Sequence, residues 1–326
     1  MMGRDLRIVY MGTPEFAVAP LKALVDGGYN VVATITVADK PAQRGMKLQA
    51  SPVKLYAVEH GLPVLQPVSL KDPQFLEELR SYKADLQVVV AFRMLPEVVW
   101  AMPPMGTFNL HASLLPQYRG AAPINWAIIN GDAETGVTTF FLNHTIDTGN
   151  IIMQRRTPIL PEDNIGTLYD RLMEIGAGVV CETVDMIASG KVETTPQIES
   201  NDLRPAPKIF KEDCFIDWTR PVQYLHNFVR GLCPYPVAYT NLITANGEEL
   251  RVKVYEAKAE PAEHKSAPGT VASDGKTYLK IAAAGGWLHI LKLQPAGKRP
   301  MLVSEFLRGN NVLGTLRQSL RVTYNS

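Results

Sequence analysis

Leu6-Arg7-Ile8-Val9-Tyr10-Met11-Gly12-Thr13-Pro14-Glu15-Phe16 opens the chain and decides its fold. A nearly continuous apolar run from Leu6 to Met11 suits a strand buried on both faces. Gly12 and Thr13 then turn the chain. Pro14 fits the first helical position after a threonine cap, and Phe16, Val18, Leu21, Leu24 and Val25 carry a helical period to the Gly27-Gly28 stop. Strand, tight turn and helix in this order form the first half of a βαβ unit. Val31 to Val37 supplies its second strand. The unit recurs. Ser51-Pro52 and Asp72-Pro73 repeat the cap-then-proline start for helices ending near Gly61 and Tyr82, while Asp85 to Phe92 and Gly106 to Leu110 read as further strands. The first half is therefore predicted to be an α/β domain with a Rossmann-like, doubly wound, mostly parallel sheet. Thr138 to Leu142 and Ile151 to Gln154 are expected to add edge strands, and Thr167 to Ser189 a long closing helix.

From Gly190 to Pro207 the pattern dissolves into polar residues and three prolines, so an interdomain linker is placed at 190–207. This gives domains at 1–189 and 208–326. In the second, a helix from about Pro221 to Arg230 precedes short strands near 237–244, 249–257, 269–271, 278–282 and 288–293, separated by Gly, Asn and Asp turns. Five strands in so short a span predict a small closed, OB-like β-barrel.

Composition bounds the function. The 326 residues are 46% hydrophobic and 20% charged, enough to bury a sizeable core. The net charge of +1 gives no bulk pull toward nucleic acid or membrane. That near-neutrality hides an asymmetry: Ile159 to Leu203 has nine acids against two bases, whereas Leu291 to Ser326 has six bases against one acid. A second basic stretch, Asp39 to Lys47, is a Gly/Pro loop following the second strand, where ligand crevices of parallel sheets lie. The apolar runs are too short to span a membrane, and the N-terminus does not read as a signal peptide. Cys181, Cys214 and Cys233 have no C-x-x-C spacing, and the six histidines show no paired ligand spacing, so neither a disulfide framework nor a metal site is expected. A cytoplasmic protein is expected.

Gly12-Thr13-Pro14-Glu15-Phe16 lacks the glycines of G-x-G-x-x-G that let a backbone approach a pyrophosphate, which argues against hydride transfer. The densest chemical signal is the run from Phe108 to Pro123. Strand alternation places Asn109 and His111 on one face, and a Pro/Gly-rich loop follows them. Asp147, in Asp147-Thr148-Gly149 after an apolar strand, is a candidate to orient His111, though such an aspartate also commonly caps a turn. No serine or cysteine in a nucleophile elbow accompanies these groups, so a covalent hydrolytic intermediate is disfavoured. An amide donor, an imidazole and a carboxylate without a protein nucleophile suit direct attack of one bound substrate on another: Asn109 would meet the developing oxyanion and His111 would move a proton. Acyl transfer to an amine fits.

These residues resemble the methionyl-tRNA formyltransferase family. Besides the Asn109 to Pro123 run and Asp147-Thr148-Gly149, the likeness is carried by Gly12 to Phe16, Asp39-Lys40-Pro41 with Arg44-Gly45 and Lys47-Leu48, Ser51 to Lys54, Gly166-Thr167-Leu168, and Leu293 to Lys298. It implies 10-formyltetrahydrofolate as formyl donor and initiator methionyl-tRNA as acceptor, with Asn109, His111 and Asp147 at the catalytic positions. Ser113, Leu114, Leu115 and Pro116 fall on the family's tetrahydrofolate-binding stretch, with Phe92 and Leu95 beside that pocket. Lys40, Arg44 and Lys47 fall on its tRNA-contacting loop, and Lys298 and Arg299 on the barrel's contribution. Where the family has Ala-Tyr-Gly, this chain has Ala91-Phe92-Arg93. A monomer is expected. The alternative, a folate-dependent formyltransferase acting on a small amine such as an amino sugar or glycinamide ribonucleotide, explains the site but not two basic segments.

Overall fold

The computed structural model describes residues 3–41, 48–312 and 316. They fall into two compact units. The first comprises residues up to Pro123, Glu134–Pro158 and Tyr169–Pro207; the second comprises Ile124–Ala133, Ile159–Leu168 and the chain from Lys208.

The first unit is built on a seven-stranded sheet. In chain order its elements are β1 (Ile8–Gly12), α1 (Val18–Asp26), β2 (Val31–Ile35), a two-stranded ribbon of β3 (Lys40–Pro41) and β4 (Leu48–Gln49), then α2 (Pro52–Glu59) and β5 (Val64–Leu65). They continue with α3 (Pro73–Ser81), β6 (Leu86–Val90), α4 (Glu97–Trp100) and β7 (Thr107–His111), then, after α5 (Pro123–Ile129), which belongs to the second unit from Ile124 on, β8 (Glu134–Phe141), β9 (Ile151–Pro158) and, from Tyr169 onward, α6 (Ile165–Ala188). The sheet order is β5-β2-β1-β6-β7-β8-β9. The first five strands pair in parallel, and β8 and β9 are antiparallel. All five residues of β1 and of β6 are buried, as strands covered on both faces must be. Val9 and Met11 of β1 pack with Ala33, Ile35, Phe75, Leu79 and Val89 in one core. The strand order reverses between β1 and β6, so the crevice outside the carboxyl ends of these strands is the ligand position of a doubly wound sheet.

The capping expectations divide. Ser51 Oγ accepts from Lys54 N at 3.1 Å and Asp72 Oδ1 from Gln74 N at 3.0 Å, each with proline in the first turn. Thr13 does not cap. The chain enters α1 through a 3-10 turn, Glu15–Ala17, and Thr13 Oγ1 is buried without a hydrogen-bond partner among the described residues. Strand β8 was expected at an edge, but it lies between β7 and β9 and leaves β9 outermost. Residues 190–207 are also more than a spacer. Thr195 exchanges two backbone hydrogen bonds with Ile151 at 2.8 Å each, and Ala206 donates to Arg119 O and accepts from Ala121 N, each at 2.8 Å.

The second unit has an antiparallel sheet ordered β10 (Ala238–Ile243), β11 (Glu249–Pro261), β14 (Gly286–Pro295), β13 (Leu279–Ala283) and β12 (Val271–Ser273), with β15 (Met301–Leu302) pairing to β14. Register shifts between Val254 and Ala257 bend the long strand β11. The sheet curls into a half-barrel, and among the described residues β10 and β12 are not paired to close it. Helix α7 (Val222–Leu232) and the short α8 (Val303–Leu307) supply Leu225, Phe228 and Phe306 to its core, where they meet Trp218, Leu242, Leu288 and Ile290.

Candidate active site

The carboxyl end of β7 presents two of the side chains that the sequence singles out. Asn109 and His111 are two residues apart and so share one face of the strand; Asn109 is half-buried and His111 is 7% exposed. His111 Nε2 lies 2.8 Å from the carbonyl oxygen of Tyr118, so Nε2–H donates there and Nδ1 carries the other role. His111 Nδ1 stands 3.9 Å from Asp147 Oδ2. That is an electrostatic separation rather than a hydrogen bond. The tautomer-fixing part assigned to Asp147 from the sequence is therefore played here by the Tyr118 carbonyl. Asp147 Oδ2 instead accepts from Gly120 N at 3.0 Å and faces the nitrogen that would take up a proton.

Two loops hold this geometry, and both are strained. Tyr118 has φ 61° and Asp147 φ 55°, left-handed conformations that cost a non-glycine residue about 1–3 kcal/mol unless the surroundings enforce them. Gly120, at φ 126°, brings its backbone so close to Ala206 that a Cβ would stand 2.5 Å from the Ala206 oxygen. Gly149 is tighter still: a Cβ there would lie 1.6 Å from Phe141 O, so only glycine lets the Asp147 turn fold back on β8.

The stretch Ser113 to Pro116 is fastened from below. Thr138, wholly buried in β8, donates from Oγ1 to Ser113 O at 2.6 Å and accepts from Leu115 N at 3.1 Å. Gln154 of β9 donates to both Thr138 Oγ1 and Leu115 O, at 3.0 and 2.8 Å. Ser113 Oγ is turned inward to Gln117 O at 2.6 Å, and the side chain is wholly buried. Leu114 is half-buried and Leu115 buried. Phe92 and Leu95 follow β6, with Leu95 buried among Val89 and Val99 and Phe92 half-buried against the same core. The cation that replaces a small residue at position 93 is tied back. Arg93 donates to Pro67 O at 2.5 Å and Val68 O at 2.9 Å, bracing two neighbouring loops.

Of the basic residues singled out by resemblance, Arg44 and Lys47 lie outside the described residues, and Lys40 is described through its backbone pairing with Gln49. Both flanks of their loop are anchored. Asp39 accepts from Lys54 Nζ at 2.5 Å and from Gln66 Nε2 at 2.8 Å, contacts that hold its carboxyl below the usual carboxylate range. Lys298 and Arg299 are exposed on the turn after β14, where Arg299 pairs with Glu305. Among the described residues, no group of three or more His, Cys, Asp or Glu side chains is placed to hold a metal, and no helix is long and apolar enough to cross a membrane.

Sequence reasoning missed Tyr118, Arg119, Thr138, Gln154 and Gln197. Tyr118 acts through a backbone carbonyl, and the others through polar contacts to backbone or to each other, none of which leaves a periodic trace.

A Rossmann-like unit with Asn-x-His at a strand end and an Asp-x-Gly turn beside it defines a group-transfer enzyme, and the chain belongs to the formyl transferase family. Residues 6–184 match the formyl transferase family and residues 208–311 the formyl transferase C-terminal domain. Similar proteins named methionyl-tRNA formyltransferase include one from Parabacteroides distasonis, 60% identical over 95% of this chain and 97% of its own length. Another, from Bacteroides fragilis, is 58% identical over 95% of this chain and 96% of its own. Among solved structures, an N-formyltransferase from Helicobacter canadensis in complex with folinic acid and dTDP-3-aminofucose superposes with a TM-score of 0.63. It is 20% identical and the match covers 89% of this chain and 99% of that one, a likeness of fold.

Proposed function

We propose that this chain transfers the formyl group of 10-formyltetrahydrofolate to the α-amino group of initiator methionyl-tRNA, giving N-formylmethionyl-tRNA for translation initiation. The observation that carries the reading is the placement of His111 Nδ1 opposite Asp147, on the strand that also presents Asn109, in a chain that matches proteins of this name along nearly its whole length.

An α-amine titrates near 7.7–8.0, and esterification of the neighbouring carboxyl lowers that further, so much of the acceptor is neutral at cell pH. Activation is needed mainly at the formyl carbonyl. The amine nitrogen bonds to the formyl carbon, the Asn109 amide donates to the oxyanion, and the bond from that carbon to N10 breaks. The amine proton ends on N10. His111 carries it: Nε2–H is already committed to the Tyr118 carbonyl, so Nδ1 takes up the proton and Asp147 stabilises the imidazolium. Ser113 to Pro116, Phe92 and Leu95 bind the folate, and Lys40, Arg44, Lys47, Lys298 and Arg299 contact the tRNA. The protein works as a monomer in the cytoplasm, where charged tRNA is found.

Mass detection of formyl transfer to charged initiator tRNA, with charged elongator tRNA and small amines as competitors, tests the assignment. Formylated initiator methionyl-tRNA is the expected product; transfer to small amines with none to charged tRNA overturns it.

A further inference from the structure

Residues 195–206 lie across the two strained loops that flank His111, and one side chain in this strap reaches both of them. Gln197 donates from Nε2 to Asp147 O at 2.9 Å and to Gly149 O at 2.8 Å, the two carbonyls that bracket the left-handed Asp147 turn. Its Oε1 accepts from Arg119 Nε and Nη2 at 3.0 and 2.8 Å, and Arg119 lies between Tyr118 and Gly120 in the other loop. Glu199 accepts from Arg119 Nη1 at 2.7 Å, so the guanidinium is held from two positions on the strap. Gln197 is half-buried although Pro196 and Ile198 beside it are exposed. A single carboxamide thus joins the loop that supplies the Tyr118 carbonyl to His111 with the turn that supplies the Asp147 carboxylate to it.

We infer that Gln197 is a positioning residue for the transfer: it enforces the left-handed turn at Asp147 and so sets the 3.9 Å separation between Asp147 and His111, an inference that rests on the catalytic reading above. The chemistry requires an amide. A donor must meet two carbonyls while an acceptor meets the guanidinium. A glutamate keeps the acceptor but places a carboxylate against two carbonyl oxygens, whereas a methionine of similar length supplies neither hydrogen bond.

The test measures single-turnover formyl transfer and the folate KM of Gln197→Met and Gln197→Glu, in the parent chain and in Asp147→Asn. Both substitutions are expected to slow transfer on the order of 10- to 100-fold with folate KM within about twofold, because a misplaced catalytic group costs rate more than binding. In Asp147→Asn the same substitutions should cost less than about twofold, since the group they position has already lost its charge. Thermal denaturation of each variant identifies any loss due to unfolding, and Gln197→Glu, which keeps the Arg119 contact, serves if Gln197→Met is unstable. Transfer within about twofold of the parent overturns the inference. So does full rescue by glutamate, which would make Gln197 an anchor for Arg119, or an equal fold-loss in the Asp147→Asn background. A parent chain that transfers no formyl group to charged tRNA removes the catalytic reading and this inference together, an outcome distinct from active variants of an active parent.

Discussion

Thr138→Val removes a hydroxyl and leaves the side chain's shape nearly unchanged, so its effect isolates the hydrogen bonds beneath the stretch from Ser113 to Pro116, proposed above to bind the folate. Oγ1 takes part in three: to Ser113 O, from Leu115 N and from Gln154 Nε2. At about 1 kcal/mol net per bond the loss approaches ~3 kcal/mol. Gln154 keeps its second acceptor, Leu115 O, which reduces the figure. Leu115 N is left in a buried position with its partner gone, which raises it by about 1–3 kcal/mol. The expected destabilisation is therefore about 3 kcal/mol. It should appear as a lower urea midpoint, as faster hydrogen exchange at the Leu115 amide, and as a raised KM for the formyl donor. Thr139→Val is the matched control. Thr139 is the next residue along β8, facing the other side, and its hydroxyl meets Thr183 Oγ1 at 2.9 Å, so one bond and about 1 kcal/mol are at stake with the folate KM unmoved. A Thr138→Val chain that loses less than about 1 kcal/mol and keeps its KM would show that the loop does not depend on this hydroxyl.

His111→Ala is expected to cut single-turnover transfer about 100- to 10,000-fold while tRNA affinity holds, measured by filter binding; a near-normal rate removes His111 from the mechanism. Lys298→Ala should weaken tRNA binding and flatten its salt dependence by about one unit of log–log slope, and an unchanged slope takes it off the phosphate-contact surface. Cys181 is half-exposed, yet burial and the charges of Asp185 and Glu182 push its thiol up to about 11, so alkylation at neutral pH should be slow in the native chain and fast in denaturant; rapid native labelling refutes this. Desolvation, with a smaller push from Arg230, lowers the pKa of His226 on α7 below the ordinary histidine value of about 6.5. The folded chain then binds fewer protons than the unfolded one, so stability present above about pH 6.5 should be lost as pH falls through the depressed value. The urea midpoint of the parent should fall relative to that of His226→Gln on acidification, and parallel curves would contradict the assignment.

What could be read in advance divides along physical lines. Strands β1 and β6 are legible because both faces are buried, which forces a run of apolar residues. The starts of α2 and α3 are legible because a cap side chain and a proline act on the backbone next to them. Thr13-Pro14 carries the same signature and misleads, because a 3-10 turn intervenes before α1. Residues 190–207 read as a linker because their role depends on backbone and amide hydrogen bonds, which need no apolar period. In the site, the pairing of Asn109 with His111 follows from strand alternation. The approach of Asp147 could only be guessed from residue type, since it depends on a turn whose Asp147 and Gly149 carbonyls accept from Gln197, 50 residues on from Asp147. The Tyr118 carbonyl that fixes the imidazole is invisible in any sequence, because every residue has one.

The interleaving of the two units bears on how the chain is made. Asn125 donates its amide to Gly231 O, and Ile129 sits in the core built around Trp218 and Phe306, although both residues precede most of that unit by a long stretch of chain. On a ribosome adding about 5–20 residues per second, the 106 residues between Asn125 and Gly231 take roughly 5 to 20 s to appear. Throughout that interval Ile129 has no core to enter, and a nascent chain stopped at residue 207 keeps it stranded.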